Sequence, residues 1–285
     1  MIIDIHTHTF PDAIAAKAMH KLKHNSHTEP VLDGTALSLS ASAKAAAVDL
    51  AVIQPVATSP QQVKEINEGA IETNRRTSET RLLSFGCMHP AFEEPEEECA
   101  RLAEAGIRGV KLHPVYQLTD MDDPSYLRVL RTAADAGLLV LIHAGIDVGF
   151  LERTYSDVRK IARALDAVPQ GRYILAHMGG WRQWDEAEAL FAGRSNVWLD
   201  TSFSLGDMTP LGDGFYDTHS LSRLSQERFL RMKETFGADR LLFGTDSPWE
   251  DQSKEIARIR ALDMNEEETA AILGENAARL LGVSL

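Results

Sequence analysis

Ile2-Ile3-Asp4-Ile5-His6-Thr7-His8 opens the chain as an apolar strand that runs straight into two histidines one residue apart. Side chains alternate faces in an extended strand, so His6 and His8 point the same way, with Cα atoms roughly 6–7 Å apart at about 3.3 Å per residue. Two imidazoles at that separation can converge on one metal ion. Taken alone, the pair is equally an ordinary strand end reaching water. The rest of the chain decides between these readings. His143 ends the run Leu139-Val140-Leu141-Ile142, His177 ends Tyr173-Ile174-Leu175-Ala176, and Asp246 follows Leu241-Leu242-Phe243-Gly244-Thr245. Residue types that bind metals recur where apolar strands stop.

Working outward, eight short apolar runs alternate with helical patterns: Ile2–Ile5, Leu50–Gln54, Leu82–Gly86, Gly109–Leu112, Leu138–Ile142, Tyr173–Ala176, Val197–Leu199 and Leu241–Phe243. Runs apolar on both faces indicate parallel strands covered by helices. Eight strand-helix alternations in 285 residues predict a (β/α)8 TIM barrel, one domain over residues 1–285. Helix punctuation supports the count. Ser59-Pro60 supplies a cap and first-turn proline before Gln61–Glu79, Asp123-Pro124 does so for Ser125–Ala136, and Ser225 caps Gln226–Phe236. Asn265 and Glu268 stand in capping-box spacing at the head of a C-terminal helix expected to close on the last strand. Two stretches exceed a minimal barrel. Thr9–Val48 has room for helices at Asp12–His24 and one ending near Ala47, and Phe203–Leu224, rich in Gly, Asp, Ser and Thr, is a candidate active-site loop.

A hydrophobic content of 44% allows a large core, and a formal charge of -13 argues against nucleic acid or an anionic membrane as partner. The acidic runs Glu93-Glu94-Pro95-Glu96-Glu97-Glu98 and Glu266-Glu267-Glu268 read as solvated first turns of helices. Only Cys87 and Cys99 occur, with no CxxC, so a reducing cytoplasm is the expected compartment. With no apolar leader and no long apolar window, a soluble, uncleaved protein is expected. No GxSxG elbow, Walker sequence or GxGxxG is present, which sets aside serine-hydrolase, P-loop and dinucleotide readings.

In a (β/α)8 barrel the active site is assembled at the carboxyl ends of the strands. His6, His8, His143, His177 and Asp246 occupy those ends on the first, fifth, sixth and eighth strands. The phrases Asp4-Ile5-His6-Thr7-His8, Gly109-Val110-Lys111-Leu112-His113-Pro114, Ala176-His177-Met178-Gly179-Gly180, Phe243-Gly244-Thr245-Asp246-Ser247-Pro248 and Glu275-Asn276-Ala277-Ala278-Arg279-Leu280-Leu281 resemble the amidohydrolase superfamily. The likeness is to its amidohydrolase-related branch, which includes aminocarboxymuconate semialdehyde decarboxylase, and it covers the whole chain. The resemblance implies that His6, His8, His143 and Asp246 bind one divalent ion, with His177 beside the reacting water or substrate. Nitrogen-rich sites with one carboxylate suit Zn²⁺, with Mn²⁺ or Fe²⁺ as alternatives.

Lys111 is open to two readings. In this superfamily a fourth-strand lysine is sometimes carboxylated to bridge two metals, which would make His143 and His177 ligands of a second ion. The preferred reading is a single metal, with the Lys111 ammonium binding a substrate carboxylate or pairing with a ligand aspartate. His113 and His89 each precede proline at a strand exit; His89 reads as a hydrogen-bonded structural histidine, and His113 as either that or a cavity residue. His20, His24, His27 and His219 read as surface residues. Trp181 and Trp249, with Trp184 and Tyr116, are candidates to wall a substrate pocket, ordinary packing being the alternative.

The leading expectation is therefore a hydrolase using metal-activated water on an amide, lactone or ester carbonyl of a small, carboxylated substrate, with Asp246 and His177 catalytic. Lys111, His113, Trp181 and Trp249 would contact that substrate. The rival keeps the metal but makes the enzyme a nonoxidative decarboxylase of an unsaturated or aromatic acid. A silent scaffold would show degraded ligands, and all five anchors are present. The expected partners are a small-molecule substrate and, in a homodimer, a second copy of the chain.

Overall fold

The computed structural model describes residues 1–284. The described residues fall into two compact units: residues 1–53, 148–150 and 200–284 form one, and residues 54–147 and 151–199 the other.

In the second unit, strands Gly86–Cys87, Gly109–Leu112, Leu139–Ile142, Arg172–Leu175 and Val197–Asp200 follow one another in a parallel sheet, the last ending in a residue of the first unit. Gly86 pairs with Val110, Lys111 with Leu141, Ile142 with Leu175 and Tyr173 with Val197. Helices Pro95–Glu104, Pro124–Asp135, Val158–Ala167 and Trp184–Phe191 alternate with these strands. The sequence expected one strand over Leu82–Gly86, where two short pieces occur, Leu82–Ser84 and Gly86–Cys87. Two side-chain amides explain the break by taking the place of a backbone ladder. Asn74 accepts from Ser84 N–H and donates to its carbonyl, and Asn67 does the same for Cys87.

In the first unit, Ile3–Thr7 runs parallel to Leu50–Ile53, pairing Ile3 with Leu50, Asp4 with Ala51 and Thr7 with Ile53. One extra residue is therefore accommodated between Asp4 and Thr7, where His6 sits; such bulges re-aim side chains near active sites. Ile5 N–H bonds to Phe243 O at 2.9 Å, and Thr201 N–H to Leu242 O at 3.0 Å, so the first strand and Thr201 both lie on the last strand, Leu241–Leu242. The C-terminal helix starts with the expected Asn265/Glu268 capping box, then widens into a π turn over Ala271–Glu275. Gly274 there lies against the chain start: a Cβ would be 2.7 Å from Met1 O. Phe243 N–H donates to Ile272 O at 2.9 Å, so this helix does close on the last strand.

Unforeseen is a two-residue antiparallel pair, Thr28–Glu29 with Thr209–Pro210, which ties the Phe203–Leu224 loop to the segment after the first long helix. Beside it His27, Phe215 and His219 stack within 4.0 Å, and His27 Nδ1 meets Asp213 Oδ2 at 2.6 Å. His20 and His24 are exposed, as expected. No helix of the described residues is long and apolar enough to cross a membrane.

Candidate metal centre

Asp4, in the middle of the first strand, organises the site in the first unit. Its side chain is fully buried; Oδ1 accepts from Thr245 N–H at 3.0 Å and His6 N–H at 3.3 Å, and Oδ2 from Thr245 Oγ1 at 2.6 Å and Gln252 Nε2 at 2.8 Å. Burial pushes this carboxyl up to about 7, although each of those donors pulls the other way. The effect is a clamp between the first strand and the turn after the last. Asp246 N–H donates to His6 O at 2.8 Å and His8 N–H to Ser247 O at 2.6 Å, completing it.

Within this clamp three of the four expected ligands meet, while His143 is grouped instead with His113 and Asp147. His6 Nε2 lies 3.2 Å from His8 Nε2, His8 Nε2 lies 3.1 Å from Asp246 Oδ1, and His6 Nε2 lies 3.4 Å from the same oxygen. Bonds of about 2.0–2.1 Å in a tetrahedral shell put ligand atoms about 3.3 Å apart, so this triangle has the size of one metal's coordination face. Two imidazoles and one carboxylate fit Zn²⁺ and also Mn²⁺ or Fe²⁺. Asp246 adopts φ 55, a left-handed conformation that Asp tolerates better than most residues.

Behind His6 stand two residues that were not among the expected site residues, Asp200 and Ser202. His6 Nδ1 is 2.9 Å from Asp200 Oδ2 and 2.9 Å from Ser202 Oγ, while Ser202 Oγ–H donates to Asp200 Oδ1 at 2.5 Å. Asp200 follows Val197-Trp198-Leu199, so the strand-end rule that flagged Asp246 flags it equally well. Further along, Glu250 Oε2 accepts from Phe203 N–H at 2.9 Å, and a Cβ on Gly206 would overlap both Glu250 and Glu255. Burial, then the neighbouring Glu255 carboxylate, holds Glu250 well above the usual range; burial also raises Glu255.

The second unit gathers the other strand-end histidines. His177 Nε2 meets His143 Nδ1 at 3.0 Å. His113 and His143 stack with ring centroids 4.1 Å apart, and Tyr116 stacks on His113 at 4.0 Å. Asp147 Oδ2 lies 3.6 Å from both His113 Nε2 and His143 Nε2, making these three a further group with the donors of a metal site. Asp147 carried no sequence signal beyond its spacing from His143. Neither did Gln117, whose Oε1 accepts from His113 N–H at 3.0 Å while its amide bonds Ala57 O and Met88 O. His177 and Met178 both have positive φ, and Trp184 Nε1 donates to His177 O at 3.0 Å. Lys111 is 1% exposed, a burial that lysine reaches when paired. His89 is buried and its Nδ1 accepts from Ala91 N–H at 3.1 Å, as expected of a structural histidine.

Of the aromatic candidates, Trp181 is fully enclosed, its backbone paired with Ala144 and Ile146. The Trp181 backbone comes so close that Gly145 has no room for a Cβ. Trp249 is half-buried and its N–H bonds to Asp246 O at 3.1 Å.

A family model described as amidohydrolase matches residues 3–283. None of the curated proteins matches the chain. Among solved structures, a TIM-barrel protein from Bordetella bronchiseptica is similar with a TM-score of 0.74 and 18% identity over 99% of this chain and 98% of that one. A 5-carboxyvanillate decarboxylase from Novosphingobium aromaticivorans, with bound manganese, gives 0.69 and 13% over 99% and 97%. A probable 2-pyrone-4,6-dicarboxylic acid hydrolase from Acinetobacter baumannii gives 0.65 and 17% over 99% of each chain. The fold is the (β/α)8 TIM barrel that the strand count predicts.

Proposed function

The chain belongs to the amidohydrolase family, and on that premise we propose that it is a metal-dependent hydrolase acting on an amide, lactone or ester carbonyl of a small, carboxylated substrate. The observation that carries this reading is the 3.1–3.4 Å triangle of His6 Nε2, His8 Nε2 and Asp246 Oδ1. His143 is proposed as the fourth ligand on the sequence likeness alone. Zn²⁺ is the proposed ion, with Mn²⁺ or Fe²⁺ as alternatives. When bound, such an ion supplies Lewis acidity that brings the pKa of a water from about 15.7 toward about 7.

The chain's own residues do the rest. Asp246 is the proposed proton acceptor, because its carboxylate already faces both imidazoles. His177 is proposed to orient the water or polarise the carbonyl, Lys111 to hold a substrate carboxylate, and His113, Trp181 and Trp249 to contact the remainder.

The likeness to a 5-carboxyvanillate decarboxylase favours a second reading, nonoxidative decarboxylation of an aromatic or unsaturated acid. There Lys111 would hold the departing carboxylate. Metal analysis of protein purified without added metal, followed by assay of carboxylated aromatics and lactones in ¹⁸O-water, separates the readings. Label in a product carboxylate supports hydrolysis, and CO2 release with no label in the remaining organic product supports decarboxylation. Absence of any stoichiometric divalent metal overturns both.

We further propose one domain over residues 1–285, since each compact unit is built from separated stretches of chain. A cytoplasmic location is supported by two buried free cysteines. A homodimer is tested by sedimentation.

A further inference from the structure

We propose that Asp200 and Ser202 are positioning residues that fix His6 in the one tautomer able to bind a metal. This rests on the reading of His6 as a ligand. The argument is a count of protons. Ser202 Oγ donates its only proton to Asp200 Oδ1 at 2.5 Å, so in its 2.9 Å contact with His6 Nδ1 it can only accept. Asp200 Oδ2, also 2.9 Å from Nδ1, belongs to a carboxylate and likewise only accepts. Two acceptors on one ring nitrogen require that Nδ1 carries a proton. A neutral imidazole has one N–H, so Nε2 keeps its lone pair. Nε2 is the atom that faces His8 and Asp246.

The arrangement is built into the backbone. Asp200 and Ser202 are fully buried, Ser202 N–H donates to Asp200 Oδ1 at 3.1 Å, and Thr201 between them bonds to Leu242 O and Gly244 O at 3.0 Å. The pair is thus fastened to the strand that leads to Asp246. A carboxylate behind a ligating imidazole fixes its orientation and raises its basicity.

Asp200→Asn gives a test with an unusual sign. Ser202 N–H fixes the amide's orientation, because it needs an acceptor where Oδ1 stands. The NH2 group must then face His6 Nδ1 and donate to it, moving the ring proton to Nε2, where it blocks the metal. Asp200→Ala imposes no tautomer, and Ser202→Ala leaves Asp200 accepting from Nδ1. A role in packing alone would make Asn, the closest in shape, the mildest of the three.

The experiment titrates chelator-stripped protein with Zn²⁺ against a competing chelator, with circular dichroism as the control for folding. It also reads the His6 tautomer in the apoprotein from ring-nitrogen NMR, assigned by difference with His6→Gln. The expected result is Nδ1–H in the wild type and in Ser202→Ala. Metal affinity should fall about 10–100-fold in Asp200→Asn and by less in Asp200→Ala. Nε2–H in the wild type, or Asp200→Asn binding as tightly as Asp200→Ala or tighter, overturns the proposal. If the wild type takes up no metal, the functional reading falls, and the tautomer alone decides this one.

Discussion

Thr245→Val asks how the site is held rather than what it binds. Thr245 is fully buried; its hydroxyl donates to Asp4 Oδ2 at 2.6 Å and accepts from Ser247 N–H at 3.1 Å. Valine keeps the shape and removes both bonds, while the Thr245 N–H bond to Asp4 Oδ1 survives. Losing a hydrogen bond to a buried carboxyl destabilises by about 1.5–3 kcal/mol if it is ionised, and stranding a buried N–H by about 1–3 kcal/mol. The two losses share one turn and do not add fully, so the expected destabilisation is about 2–4 kcal/mol. At about 2–4 °C per kcal/mol, the midpoint of thermal unfolding should fall by about 4–16 °C. Urea unfolding of chelator-stripped protein, followed by circular dichroism, gives the free energy directly. Because Asp4 and Thr245 carry the turn holding Asp246, metal affinity should weaken as well. A destabilisation below about 0.5 kcal/mol would mean that Asp4 is not the clamp inferred from its four donors.

Asp246→Asn should leave a folded protein but reduce turnover by at least about 10²–10⁴-fold, since an amide is a neutral, weaker ligand and cannot take a proton; activity within a few-fold of wild type would contradict its role. His177→Asn should keep the metal and lose turnover, and metal loss as complete as in His8→Ala would favour the binuclear reading through Lys111. Glu250 and Glu255 are raised above the ordinary 4.5, so the folded state binds their protons more tightly than the unfolded one. Their contribution to stability is whole below that value and is lost as pH rises. Glu250→Gln should therefore flatten the decline of unfolding free energy as pH rises above 4.5, measured by urea unfolding, and an unchanged slope would refute it.

The strands were legible because burial on both faces leaves unbroken apolar runs: Gly109–Leu112 occurs with the expected bounds, as does the helix Gln226–Phe236 that Ser225 caps. The Leu82–Gly86 run divides because Asn67 and Asn74 replace ladder bonds, and no run of hydrophobicity records which amide reaches which backbone. The Thr28–Glu29 ladder was illegible because two residues set no periodicity; its pairing depends on a segment some 180 positions away. Of the site, His6, His8 and Asp246 were readable as strand-end ligand types. Asp200 was readable by the same rule, since it follows Val197-Trp198-Leu199. Asp4 looked like any strand residue. Its role appears only when Thr245 and Gln252, far along the chain, arrive to donate to it.

Building one compact unit from both ends of the chain has a consequence for biogenesis. Asp246 is made 240 positions after His6, which at about 5–20 residues per second is a delay of roughly 12–48 s. Until then an emerging chain presents His6 and His8 without the carboxylate or the closing helix that complete their surroundings. A bare imidazole pair ranks metals by intrinsic affinity, with copper foremost. On the proposed function, the choice of ion therefore belongs to the folded chain, once Asp246 and the closing helix are in place, and depends on which metals its surroundings then offer.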